Sequence, residues 1–248
     1  MVEQRGQERT YRAVVFGATG ATGREVVREL AESSTCSKVN AVSRRDVQRE
    51  EFDKVFPGIS ELAKDKIFVK KVDWERFTES IGNTCKESDA AFCCLGTTEK
   101  DAGGKKGFSR VDLDYTVEAA RECKEAGVSH FALVTAAGVY WNVPRFCSNY
   151  IWTKARAEEE VIKLKFGQGA SIWHPGLLGR GDLTRSGMES MCQWLGFKGL
   201  PVKQLGKAMR VYVSSLVTGQ RAPKTAEFFE NKDIKRLATE GETNRLNQ

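Results

Sequence analysis

Val14-Val15-Phe16-Gly17-Ala18-Thr19-Gly20-Ala21-Thr22-Gly23-Arg24 decides how this chain is read. An apolar run stops at a glycine. Two more glycines follow at three-residue spacing, and Val26, Val27 and Leu30 then recur with a helical period. The pattern predicts a strand, a glycine turn and a helix. Such a turn aims free backbone N–H groups and the positive end of a helix at one point, where a pyrophosphate fits. One glycine makes the turn, one lets a phosphate approach the backbone, and one lets helix and strand pack closely. The candidate cofactor contacts here are Gly17, Thr19, Gly20, Ala21, Thr22 and Gly23. A plain glycine-rich turn is the alternative, and the flanking strand and helix favour the cradle.

Working outward, Lys38–Val42 reads as a second strand ending at Ser43-Arg44-Arg45. In a dinucleotide fold the tip of this strand meets the adenosine ribose. An acid there binds the 2′-hydroxyl of NAD, and an arginine accommodates the 2′-phosphate of NADP. Two arginines stand here and the acid, Asp46, follows them, which favours NADP over the alternative of a merely exposed basic turn. Asp46–Lys64 reads as a surface helix or loop, and Lys66–Val72 as a third strand closing at Asp73. Asp73 is placed to accept from an adenine amino group or to cap a helix, and the two roles can coexist.

Asp89–Thr98 reads as a nearly all-apolar fourth strand, as a central parallel strand should be, running into a glycine turn. Leu95, Gly96 and Thr97 fall where the backbone passes the second ribose. The adjacent Cys93 and Cys94 face opposite sides of the sheet and read as small buried hydrophobes. Glu99–Phe108 is a glycine- and lysine-rich loop, either covering the site or simply solvated. A helix over Val111–Ala126, a fifth strand over His130–Thr135, a helix over Asn149–Lys165 and a sixth strand over Ser171–Trp173 complete the alternation. The fold class is α/β: a doubly wound parallel sheet, the Rossmann arrangement. A flexible tail over residues 1–10 precedes one domain over 11–248, with substrate-side elements from about residue 176. Beyond it a short helix is expected over Glu189–Phe197, a strand over Met209–Val213 and a helix to Thr218. Phe228–Leu237 closes the fold, and Thr239–Gln248 is expected to fray.

The composition supports one mixed domain: 248 residues, 40% of them apolar. The net charge of +6 is spread among 33 acidic residues, a mildly basic surface that suits an anionic cofactor and is no nucleic-acid footprint. Seven cysteines without a C-x-x-C pair, and only two histidines, argue against a metal site or a disulfide framework and for reduced thiols. The polar Met1–Arg12 offers no secretory signal, and no apolar run approaches ~18 residues, so neither export nor a membrane span is expected.

The candidate chemistry lies on the helix after strand five. Tyr150 and Lys154 are four apart and share a face. An ammonium beside a phenol favours the phenolate, and a phenol so tuned can exchange a proton with a carbonyl or alcohol oxygen during hydride transfer. The lysine can also hold the nicotinamide ribose. A serine is usual near the end of strand five. Here Ala136 takes that position, and Thr135 is the adjacent hydroxyl available to a substrate. His174 ends strand six before Pro175-Gly176-Leu177 and reads as catalytic or as packing beside the nicotinamide, with Gly176 and Leu177 as further cofactor contacts. His130 is expected at the surface.

These stretches together resemble the atypical short-chain dehydrogenase/reductases, and among them the HIV Tat-interactive protein group of oxidoreductase-like proteins. The resemblance is carried by Gly17–Arg24, Ser43-Arg44-Arg45, Phe92–Thr98, Gly107-Phe108-Ser109-Arg110-Val111-Asp112, Asp114-Tyr115, Tyr150 with Lys154, Pro175–Leu178 and Glu230-Asn231-Lys232-Asp233-Ile234. It implies an NADPH-binding Rossmann fold without a firmly known substrate. It also implies a regulatory role through protein partners, including the nuclear import machinery, and residence in cytoplasm and nucleus. The chain departs from the group at Thr135-Ala136-Ala137-Gly138, where Ser-Ser-Lys-Gly is usual, and at His174, where an arginine is usual. About three extra residues fall in the Gly138 to Asn149 region. These changes leave cofactor binding intact and bear on turnover. Two functions are therefore expected as alternatives: an NADP-dependent oxidoreductase, or an NADPH-sensing regulator that does no chemistry.

Overall fold

A computed structural model describes residues 9–81, 83–139, 141–180, 183 and 199–246. Its centre is a parallel sheet of seven strands: β1 (Tyr11–Phe16), β2 (Cys36–Ser43), β3 (Ile67–Lys71), β4 (Ala90–Cys93), β5 (His130–Val134), β6 (Ala170–His174) and β9 (Ala226–Glu230). They lie in the order β3-β2-β1-β4-β5-β6-β9. A two-stranded parallel ribbon, β7 (Leu178–Gly179) with β8 (Leu200–Pro201), stands beside it. The doubly wound expectation holds, and the sheet gains β9 as a seventh parallel strand against β6.

The apolar strands are covered on both faces. Ala13 and Val15 of β1 enter one core, and Val14 and Phe16 enter the other. The first core is closed by α1 (Ala21–Ala31), α8 (Val202–Val217) and α9 (Asn231–Leu246). The second is closed by α4 (Phe77–Ile81), α6 (Thr116–Glu125) and α7 (Asn149–Lys163). Period-two alternation thus fills two layers from one strand, and it separates Cys93 and Cys94 between them. Burial pushes the Cys93 thiol up to about 11 and raises Cys94 well above its ordinary value, as small core hydrophobes require.

The structure corrects several local expectations. Met209–Val213 is the middle of α8, not a strand: Leu205, Met209 and Tyr212 with Val213 form a buried stripe at helical spacing. Short β-branched runs are ambiguous by period alone, and the packing of α8 on α1 decides the matter. Residues expected to fray after Thr239 continue α9 to Leu246. The Asp46–Lys64 stretch folds into α2 (Phe52–Val55) and α3 (Glu61–Lys64). Its Phe52, Val55, Phe56 and Ile59 are buried in the first core, and only Leu62 stands free. The helix expected from Val111 begins earlier, with α5 (Lys105–Ser109), and passes through a π-helical turn, Arg110–Tyr115, before α6. His130 is not at the surface. It is fully buried, with Nδ1 on the Gln168 carbonyl oxygen and Nε2 on the Ser171 hydroxyl. Residues 1–8 of the tail expected over 1–10, and the helix expected over Glu189–Phe197, lie outside the described residues.

Candidate cofactor and active site

The glycine turn has the predicted form. Gly17 has φ +73°, and a Cβ there would lie 2.8 Å from the Cys94 carbonyl oxygen. Gly23 packs the first turn of α1 onto β1 so closely that a Cβ would lie 2.1 Å from the Gly17 carbonyl oxygen. Gly20 is the N-cap of α1. It brings no capping side chain, and no acid stands in the first helical turn. The leading N–H groups of α1 are left to face the cleft that Gly20, Ala21 and Thr22 line. Thr19, between these glycines, is half-buried.

At the tip of β2, Ser43 is buried, and its hydroxyl accepts from the Arg45 N–H (3.2 Å). Arg44 and Arg45 are exposed beside the glycine turn, whose Ala18 N–H bonds to the Val42 carbonyl (3.2 Å). The acid that follows is turned to local work. Asp46 accepts from the Val47 N–H (3.0 Å) and the Gln48 carboxamide (2.7 Å). Asp73 takes its capping role, accepting from the Glu75 N–H at 3.0 Å.

The same cleft is lined by Leu95, Gly96 and Thr97 from the end of β4, by Thr135 after β5, and by Tyr150 and Lys154 on α7. Ala136, Ala137, Gly176 and Leu177 extend it on the far side of Tyr150. Ser148 caps α7 by accepting from the Ile151 N–H (3.2 Å), which fixes where the helix starts. The Tyr150 ring is 43% exposed and stacks on the buried Phe108 of α5, centroids 5.5 Å apart.

Asp112 carries no role that local spacing in the sequence reveals. It lies in the π-helical turn, fully buried. One carboxylate oxygen is 2.7 Å from the Lys154 ammonium, and the other accepts from the Thr97 N–H at 2.9 Å. Burial alone would lower the Lys154 ammonium, but the Asp112 carboxylate outweighs it and holds the group above its ordinary value. Lys154 is therefore a fixed cation under the cleft. π-Turns recur at functional sites because they re-aim side chains. The run Gly107–Asp112 was the available signal.

Glu158 was missed entirely. It is one helical turn beyond Lys154, completely buried, and it joins three groups. It accepts from the Thr135 hydroxyl (2.6 Å), from His174 Nε2 (2.9 Å) and from the Trp141 indole N–H (3.0 Å). Nδ1 of His174 meets Glu230 at 3.0 Å. Burial by itself would depress the His174 imidazole, but the hydrogen bonds and charges of Glu158 and Glu230 reverse the sign and hold it above its ordinary value. Both ring nitrogens of His174 thus face carboxylates behind Thr135, and the ring is not among the groups lining the cleft. The spacing Tyr150, Lys154, Glu158 put all three on one stripe and was legible in advance.

Known proteins are similar to this chain. The NAD(P)H-binding family matches residues 17–165. HTATIP2 of Rattus norvegicus is 30% identical over 241 residues, covering 94% of this chain and 91% of that protein. The chain is an atypical short-chain dehydrogenase/reductase of the HTATIP2 type. A second relative of this short-chain dehydrogenase/reductase, named FMP52, mitochondrial, from Debaryomyces hansenii, is 29% identical over 217 residues, 86% of this chain and 85% of its own. Among solved structures, UDP-galactose 4-epimerase superposes with a TM-score of 0.66 at 14% identity, covering 88% of this chain and 76% of that one. MoeE5 in complex with UDP-glucose and NAD gives 0.62 at 16%, covering 92% and 81%. At such identities these two show the fold alone. Among the described residues no helix is long and apolar enough to cross a membrane.

Proposed function

We propose that the chain binds NADP(H) and moves a hydride between it and a small carbonyl or alcohol. The observation that carries this is one cleft in which an uncapped helix N-terminus and Leu95–Thr97 meet Tyr150 and a Lys154 ammonium pinned by Asp112. The residues fit a nicotinamide dinucleotide: the close approaches at Gly17 and Gly23 leave a bare backbone cradle for its phosphates. The cofactor supplies the hydride acceptor or donor. Tyr150 carries the proton to or from the substrate oxygen, Lys154 steadies the ribose and the phenolate, and Leu177 with Gly176 lines the substrate side.

Preference for NADP is proposed on Arg44 and Arg45. Among the described residues neither guanidinium has an ion-pair partner, while Asp46, the acid that would have favoured NAD, is spent on its own turn. Titrating NADPH and NADH into wild type and into R44A/R45A tests this. Each charge-assisted bond to the 2′-phosphate is worth about 1.5–3 kcal/mol. The double variant should lose about 10-fold or more in NADPH affinity with NADH unchanged, and an unaltered NADPH affinity overturns the assignment. Y150F tests the chemistry on a panel of carbonyls and alcohols: turnover should fall by two orders of magnitude or more. If NADPH binds and wild type turns over nothing, the chain is the NADPH-sensing regulator acting through a protein partner. The compartment proposed is a reducing one, cytoplasm and nucleus, on the unpaired thiols of Cys36, Cys85, Cys93, Cys94, Cys123 and Cys147.

A further inference from the structure

We propose that Glu158, held by His174, is a positioning residue that takes the hydroxyl hydrogen of Thr135, so that Thr135 offers the cleft a lone pair and the site selects the hydroxyl form of its ligand over the carbonyl form. The inference deepens the reading above and rests on the cleft it describes.

Thr135 follows β5 and lines both parts of the cleft on either side of Tyr150. A threonine hydroxyl has one hydrogen to give and two lone pairs. Here the hydrogen is given at 2.6 Å to a carboxylate with no exposed surface. A buried carboxylate that accepts three hydrogens cannot return one without losing a partner, and an ionised one has none to give. His174 and the Trp141 indole donate to the same carboxylate, and Glu230 holds the imidazole from its other side. Towards the cleft, Thr135 therefore acts as an acceptor. A ketone or aldehyde oxygen, itself only an acceptor, finds no donor there; a secondary or primary alcohol does. Ala136, beside it, has no hydroxyl to supply the missing donor. Among the residues that line both parts of the cleft, Tyr150 is the other side-chain hydroxyl, and it is left to give a carbonyl oxygen a hydrogen.

The test is binding without cofactor, so that no turnover intrudes, with cyclohexanol and cyclohexanone as a matched pair followed by ligand-observed NMR on the full chain. Wild type should bind the alcohol about three- to tenfold more tightly, the worth of one neutral hydrogen bond. T135V replaces the hydroxyl with a methyl and should erase the preference, while T135S should keep it. E158Q should narrow the preference. It should also lower the pH at which the His174 ring nitrogens lose a proton in ¹⁵N spectra, which a merely structural role for Thr135 would not require. Equal affinities in wild type, no binding of either compound, or a preference retained in T135V overturns the proposal. If E158Q does not fold, T135V still decides. NADPH binding measured on the same samples separates the outcomes: intact NADPH affinity with no alcohol preference refutes this inference and leaves the cofactor reading standing, and lost NADPH affinity in wild type refutes that reading instead.

Discussion

Gly23 and the two histidines show how single residues commit this chain. A methyl on Gly23 would sit 2.1 Å from the Gly17 carbonyl oxygen, and the obstructing atoms are the backbone of Gly17 and Ala18, not a side chain that could swing away. Gly23→Ala should therefore cost several kcal/mol, as overpacking between rigid backbones does, and should abolish NADPH binding; a lowered melting temperature and a flat titration are the expected readings. His130 and His174 are both buried and respond to pH in opposite directions. Burial pushes His130 down to about 4. The folded chain keeps it neutral while the unfolded chain protonates near 6.5, so stability falls as pH drops from 6.5 towards 4, by about 3 kcal/mol in all. His174 is raised by Glu158 of α7 and Glu230 of β9, the charged groups that face it. Its contribution is full below the unfolded value of 6.5 and is lost as pH climbs through its higher folded value. Urea denaturation across pH 4–9 should show H130N flattening the acid limb and H174Q flattening the alkaline limb. Identical pH profiles for wild type and either variant would refute the corresponding assignment.

At the scale of elements, the π-helical turn Arg110–Tyr115 matters most. It allows one helix run to start at α5, where Phe108 backs Tyr150, and still deliver Asp112 to Lys154 and to the Thr97 N–H. Three elements, α5 to α6, α7 and the end of β4, are locked through one carboxylate. Both members of the ion pair are almost fully buried, so removing Asp112 leaves an uncompensated ammonium. D112A should destabilise the fold by about 3–5 kcal/mol and weaken NADPH binding, because Lys154 and the Leu95–Thr97 backbone lose their anchor together. D112N keeps the hydrogen-bond shape and should cost less. Equal stability of D112A and wild type in denaturant melts would show that the pair is not structural. This element was only half legible. Glycine-rich EKDAGGKKGF reads as a loop by composition, yet Gly107 lies in α5, where the Ala102 carbonyl oxygen packs too closely for any side chain. Likewise Met209–Val213 reads as a strand until α1 supplies the surface its helical stripe covers.

For the molecule as a whole, the strand order explains where the cleft lies. The chain runs outward from β1 to β2 and β3, then returns to place β4 on the other side of β1. The glycine turn after β1 and the Leu95–Thr97 loop after β4 therefore part in opposite directions, and a crevice opens between them. Because the cleft draws on residues from Gly20 to Arg180, a ligand there ties the halves of the sheet together. Saturating NADPH at about 100 times its dissociation constant should stabilise the fold by about 2.7 kcal/mol, seen as a raised melting temperature, with NADH giving less at equal concentration; no shift with either would argue against a cofactor site here. The sequence by itself determined the parallel α/β sheet, the glycine cradle, the basic tip of β2 and the Tyr150–Lys154 face, because each is written in local spacing: period two, period 3.6, or a glycine where nothing larger fits. Only the tertiary structure decided that Asp112 holds Lys154, that His174 turns away from the cleft to join Glu158 and Glu230, and that the Thr135 hydrogen is already given away. Those partners are 16 to 56 residues apart in the chain, and a carboxylate's hydrogen bonds are set by which groups burial brings within about 3 Å of it, a quantity no local pattern encodes.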